Sequence, residues 1–208
     1  MKANIKAAAI QLFNKEGMSN VSMKQLADNM GISAGNLKYH YNTKSDLLEA
    51  LYEDMYTVTL DYILPKNTYL TLFHLEEMMG KFDALQQEYA FFFNDLVNII
   101  KTHPTIAKRY EAGNIERFKA ARKLLDYYIE TGRMKKTHGL VDFDQVIYAI
   151  WMLSTFWQSQ KIAINNPNYK VNQTSSISLL WQLIIPHLTE KGIEEYQQMR
   201  QFVTLPNY

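Results

Sequence analysis

No cysteine occurs among the 208 residues. Its absence excludes a disulfide framework, a thiolate metal site and a thiol nucleophile, and it agrees with a reducing cytoplasm. Long apolar runs are missing too: the stretch 149–156 meets Gln158, Gln160 and Lys161 within one helix length, so no membrane span is expected. The opening Met1-Lys2-Ala3-Asn4-Ile5-Lys6 lacks the apolar core of a signal peptide. Neither sign of charge prevails. Lys and Arg number 22 against 21 Asp and Glu, a net +1 that, taken whole, argues against a nucleic-acid partner.

Chemical signatures are equally sparse. There is no Gly-x-Ser-x-Gly elbow, phosphate-binding loop or dinucleotide fingerprint, so no catalytic residue and no cofactor is implied. His74 and Glu77 stand at i, i+3, half of one ligand pair of a carboxylate metal site. No second copy and no third ligand follows at suitable spacing, so a solvated pair is expected and no metal site. His40, His103, His138 and His187 are scattered, and His103 and His138 fall at helix ends, where a cation favours the dipole. Lys108, Arg109, Arg117, Lys119, Arg122 and Lys123 are interleaved with Glu111 and Glu116 and read as a solvated helix face.

What is present is helix. Hydrophobic residues make up 47% of the chain, ample for a buried core. Two-residue alternation, hairpin signals such as Asn-Gly, internal repeats and low-complexity segments are absent. Periodicity predicts helices over about 3–16, 43–64, 69–86, 87–102, 104–131, 142–164, 175–189 and 191–203. The breaks are Gly17, Pro65, His103-Pro104, Gly132 with Gly139, the polar loop 165–174 and Gly192. The expected fold class is all-α.

Between the first two of these helices, residues 21–41 read as two short helices joined by a tight turn, a helix-turn-helix. Ser22 can N-cap the first. Leu26 and Met30 form an i, i+4 apolar pair facing the core, and Ala27 is small enough for a close crossing. Gly31 sits where the turn needs positive φ. Ile32 plugs the corner, Ser33 caps the second helix, and Leu37 packs back onto Leu26 and Ala27. Ala34, Gly35, Asn36, Lys38, Tyr39 and His40 are left outward, small at the helix start and then polar or aromatic, which suits a major groove. Charge distribution agrees: residues 1–47 hold six lysines against three acidic residues, +3, leaving −2 for the rest. Thr43-Lys44-Ser45-Asp46 opens the next helix as a capping box, with Thr43 the N-cap and Asp46 answering it.

The run Ala8-Ala9-Ile10-Gln11-Leu12-Phe13, Gly17, the stretch 21–41 ending in Tyr39-His40-Tyr41, and Thr43-Lys44-Ser45-Asp46-Leu47-Leu48 together resemble the DNA-binding domain of the TetR family of bacterial transcriptional regulators. The segment Tyr89 to Leu96 with Phe91-Phe92-Phe93, followed by Thr102-His103-Pro104, resembles the C-terminal domain of a TetR subgroup. The resemblance implies a helix-turn-helix domain over 1–47, a connector helix from about 43 to 64, and a helical ligand-binding and dimerisation domain over 48–208. It implies a cytoplasmic, ligand-released repressor that binds a palindromic double-stranded operator as a homodimer. An all-α protein that sequesters an apolar molecule without a DNA role stays open beside it.

DNA contacts are expected from Ser22, Lys24, Ser33, Ala34, Gly35, Asn36, Lys38, Tyr39, His40 and Lys44. Residues 1–47 contain no arginine, so the guanidinium-to-guanine contact is not available. Lys38, where family members often carry tyrosine, and Asn36 are assigned to base edges, with a phosphate contact the alternative for Lys38. Tyr39 and His40 would meet the backbone or a thymine methyl. Ser22, Lys24 and Lys44 would hold phosphates, and Lys2 and Lys6 would follow the minor groove on a mobile arm. The helices over 142–164 and 175–189 carry apolar stripes broader than one core-facing side needs, and Pro186 is placed to kink or end the second. In the family such a pair makes the dimer, here through Ile147, Trp157, Trp181, Ile184 and Leu188; the alternative is a monomer core. Met78, Phe82, Phe92, Tyr127, Trp151 and Phe156 are candidates to line an adaptable pocket for an apolar small-molecule effector, with solid core the alternative.

Overall fold

In the computed structural model, which describes residues 1–60, 69–137, 139–164, 168 and 174–202, the chain is all-α. The helices are α1 (Lys2–Glu16), α2 (Met23–Asn29), α3 (Ala34–His40), α4 (Lys44–Leu60), α5 (Leu72–Glu88), α6 (Ala90–Asn94), α7 (Leu96–Thr102), α8 (Pro104–Glu130), α9 (Phe143–Ala163), α10 (Ser176–Ile184) and α11 (Glu190–Phe202). Extended pairing among the described residues is a single antiparallel bridge, Met134 to Leu188. No described helix is long and apolar enough to cross a membrane. Pro65 and the last residues expected of the connector, His138, and all of the 165–174 loop but Asn168 and Thr174 lie outside the described residues.

The chain divides into two compact units, Met1–Asp61 with Leu85–Ala112, and Tyr62–Ala84 with Gly113–Tyr208. In the first, α1 buries Ile5, Ala9 and Phe13, an i, i+4, i+8 stripe. α4 buries Leu47, Leu48, Leu51, Tyr52 and Met55. The helix boundary expected between 86 and 87 lies at Tyr89 (φ −104°, ψ 37°), and the single helix expected over 87–102 is broken once more at Asp95 (φ −112°, ψ 17°). Phe91, Phe92 and Phe93 all lie in the short α6 between the two breaks and are all buried, so this helix is covered over about 200° of its circumference. Backbone groups flanking the first break are taken by Asn14 of α1, which accepts from Phe91 N–H and donates to the Glu88 carbonyl, both at 2.8 Å.

The second unit is built on a core that includes Leu72, Met79, Leu124, Tyr128, Phe143, Ile147, Leu180, Trp181, Ile184 and Leu188. Several of its buried polar groups are paired across elements. The Trp181 indole N–H donates to Glu76 (2.7 Å), whose other oxygen meets Arg200 at 3.3 Å. Arg133, fully buried, donates to Glu195 at 2.6 Å and lies 4.6 Å from the centre of the Tyr69 ring. Glu195 in turn accepts from Leu72 N–H at 2.7 Å, capping α5. His74 is no solvated partner of Glu77: its Nδ1 lies 3.1 Å from Thr71 N–H and 2.9 Å from the Thr71 hydroxyl. α10 stops at Ile184 and Pro186 sits in the 3-10 turn that follows, as expected of a proline. α11 comes so close to the end of α8 that Gly192 has no room for a side chain, because a Cβ would fall within contact distance of the Arg133 carbonyl.

Candidate nucleic-acid interface

α2 begins with a complete capping box. Gln25 N–H donates to Ser22 Oγ (3.2 Å), and Gln25 Oε1 accepts from the Ser22 N–H and hydroxyl at 2.8 Å each. The Ser-x-x-Gln spacing is a sequence signature for this, and Gln25 is the residue that completes the box with Ser22. Gly31, at φ 65°, makes the turn that a β-carbon would disfavour. Ser33 caps α3 by accepting from Asn36 N–H at 3.1 Å. Leu26, Ala27 and Leu37 are buried, and Ile32 and Met30 are half-buried at the corner. Thr43 and Asp46 form the reciprocal box at the start of α4, with bonds of 2.9 and 3.1 Å.

Of the seven residues of α3, Leu37 alone is buried. Ala34, Gly35, Asn36, Lys38 and Tyr39 are exposed, Tyr39 at 86%, and His40 is half-buried with its ring 5.2 Å from that of Tyr39. Lys24 is exposed on α2. Three lysines behave otherwise. Lys44 Nζ donates to the carbonyls of Met18 and Val21, both at 2.8 Å, and partial burial lowers its pKa. It fastens the turn after α1 to α4, so the expectation of a phosphate clamp gives way to a structural one. Lys2 and Lys6 lie in the first turns of α1, not on a mobile arm. Lys2 sits 5.9 Å over the Tyr41 ring and Lys6 pairs with Asp54 at 2.5 Å. Ser22 is exposed, but its N–H and hydroxyl are both engaged by Gln25.

The other candidates distribute differently from expectation. Ile147, Trp157, Trp181, Ile184 and Leu188 are all buried within one protomer, Trp181 at 1% and Leu188 at 0%. They cannot form an open dimer face. The exposed side of α9 instead carries Tyr148 and Met152, and α10 leaves Gln182 exposed and Leu179 and Leu183 half-buried. Phe92 is core in the first unit, its ring packed on Tyr52, Phe93 and Tyr110. Met78, Phe82, Tyr127, Trp151 and Phe156 belong to the second unit and are half-buried. There Tyr127 Oη accepts from Leu70 N–H (3.1 Å), and the Trp151 indole donates to Asn114 (3.1 Å) and meets the Phe118 ring edge-on at 5.5 Å.

Two capped helices crossing at a glycine turn, the second bare on its outward side, define a DNA-binding protein of the helix-turn-helix class. The chain belongs to the TetR family of bacterial transcription regulators. The family's DNA-binding model, "bacterial regulatory proteins, tetR family", matches residues 5–51, and a second TetR model, "bacterial transcriptional repressor", matches residues 51–196. An HTH-type transcriptional regulator of Staphylococcus aureus strain MRSA252 is 24% identical over 113 residues, 54% of this chain and 55% of that protein. One from strain USA300 is 23% identical over 133 residues, 62% of this chain and 65% of that protein. The match thus spans between about half and two thirds of these relatives' length. A TetR-family regulator from Marinobacter aquaeolei has the same fold, with a TM-score of 0.85 at 20% identity over 97% of this chain and 98% of that one. A putative regulator from Saccharomonospora viridis in complex with choline gives 0.70 at 16% identity over 91% and 97%.

Proposed function

We propose that this protein is a dimeric repressor that holds a palindromic operator and is released from it by a small molecule. The observation that carries the reading is α3 itself, a short helix capped by Ser33 and pinned by Leu37, with its other side chains turned outward. Asn36 and Lys38 read base edges, Asn36 suited to adenine and Lys38 to guanine. Tyr39 and His40 meet the backbone or a thymine methyl, Ala34 and Gly35 permit close approach, and Ser33 and Lys24 face phosphates. DNA reading belongs to residues 1–47, and ligand binding and dimerisation to 48–208, with α4 as connector. Two heads on a two-fold axis call for half-sites about one helical turn apart.

The outward side of α9 and α10, around Met152 and Leu183, is the surface that supports a dimer. The Saccharomonospora viridis neighbour is in complex with choline, which supports a small-molecule effector. The half-buried Met78, Phe82, Tyr127, Trp151 and Phe156 favour one that is mostly apolar. Reversing operator occupancy requires the effector to prefer the released conformation by roughly 3–5.5 kcal/mol. The test is selection by the purified protein from a random duplex library. An enriched inverted repeat is the expected result. Enrichment of no sequence, with binding that depends on salt but not on bases, overturns the reading.

A further inference from the structure

We propose that Asn14 is a positioning residue for DNA reading: its amide bolts the end of α1 to the break between α5 and α6 and so sets how the head is held. Asn14 Nδ2 donates to the Glu88 carbonyl and its Oδ1 accepts from Phe91 N–H, both at 2.8 Å. Both backbone groups flank the irregular Tyr89, where the helical hydrogen-bond ladder is interrupted. Side chains that satisfy such breaks ordinarily come from a few residues away. This one comes from 77 residues before Phe91 and 74 before Glu88. Asn14 is exposed, so burial does not force the pairing. A planar amide held at both ends fixes rotation as well as position. Beside it the Phe13 ring meets Phe91 edge-on at 5.4 Å.

The place of the clamp gives it consequence. α1 ends at Glu16, and the turn that follows is held by Lys44 of α4 through the Met18 and Val21 carbonyls. The entry to the helix-turn-helix is therefore gripped twice, by α4 through Lys44 and by the α5–α6 break through Asn14.

This proposal rests on the operator reading above and sharpens it. A dimer whose heads are rigidly held discriminates half-site spacing; loosely held heads do not. The experiment takes the operator selected by the full-length wild type and inserts one or two base pairs between the half-sites. Wild type should lose about tenfold or more on insertion, while Asn14→Ala loses less than about threefold. The bases selected within each half-site and the salt slope should not change. If Asn14→Ala does not fold, Asn14→Asp serves, since it keeps the acceptor for Phe91 N–H and removes the donor to Glu88. Variants that discriminate spacing as sharply as wild type, whether or not they are uniformly weaker or less stable, overturn the proposal alone. Failure of the wild type to select any inverted repeat overturns the operator reading, and the proposal with it.

Discussion

Lys38 and Lys44 are both lysines in the reading head, yet the structure gives them opposite settings. Lys38 is exposed on α3, and Lys44 is half-buried with two of its three donors on backbone carbonyls. Lys44→Ala should therefore cost about 1–2 kcal/mol of stability, discounted for partial exposure, and leave the salt slope of DNA binding unchanged. Lys38→Ala should do the reverse, with no change in stability and either a relaxed base preference or a slope lower by about one per contact. A Lys44→Ala protein as stable as wild type with a flattened slope would restore the phosphate role. Gly192→Ala runs against the usual helix preference. Alanine ordinarily gains about 1 kcal/mol over glycine in a helix, but here its Cβ meets the Arg133 carbonyl and Leu188. Expect a loss of about 1–3 kcal/mol, read as a lower urea midpoint at constant m-value. His187 supplies a pH dependence. Burial first, then the Lys135 cation, hold its imidazole below the usual range. A folded pKa below the unfolded one means that the stability from neutral His187 is present above the unfolded pKa and lost as pH falls through the folded one. Wild type should then lose more Tm than His187→Gln between about pH 7.5 and 5; equal losses would exclude this role.

At the scale of elements, what local chemistry specifies was legible and what tertiary competition decides was not. The ends of α1, α2, α3 and α10 follow from Gly17, Ser22, Ser33 and Pro186, because caps and breakers act over three or four residues. The boundary near Tyr89 was legible to within a few residues, but its partner Asn14, far away in sequence, and the second break at Asp95 were hidden. α9 shows the same limit in another form. An apolar stripe wider than one face says that two surfaces are covered, but hydrophobicity does not say which half faces the protomer's own core. The expected dimer contacts Trp157 and Ile184 are on the inner half, and Met152, 51% exposed, is on the outer. Met152→Glu or Leu183→Glu should therefore give a folded monomer in sedimentation, by placing a charge in the interface at a cost of several kcal/mol. Trp157→Glu should instead lower the unfolding midpoint whatever the assembly state. If Met152→Glu and Leu183→Glu remain dimeric at micromolar concentration, α9 and α10 do not form the interface.

For the whole molecule on DNA, the six lysines of residues 1–47 and the absence of arginine there limit how binding responds to salt. Each phosphate neutralised by a lysine releases counterions, and the logarithm of affinity falls with the logarithm of salt at about −0.9 per contact. Lys2 and Lys44 are engaged by Tyr41 and by backbone carbonyls. Lys6 and Lys15 are paired with Asp54 and Glu16. That leaves Lys24 and Lys38 presented from each head. A dimer that keeps these internal contacts offers four lysines, for a slope of about −3.6. One that exchanged the Lys2, Lys6 and Lys44 contacts for phosphates would offer ten and approach a slope of about −9. The two are well separated in a titration of the selected operator from about 50 to 300 mM salt, run above the dimer dissociation constant so that assembly does not contribute. A slope near the smaller value is expected, with specificity resting mainly on Asn36, Lys38 and the fit of Tyr39. A slope near the larger would mean that the lysine anchors seen in the free protein are surrendered on binding. Lys44 would then leave the carbonyls that fasten the turn after α1, and the head would reach DNA in a different arrangement.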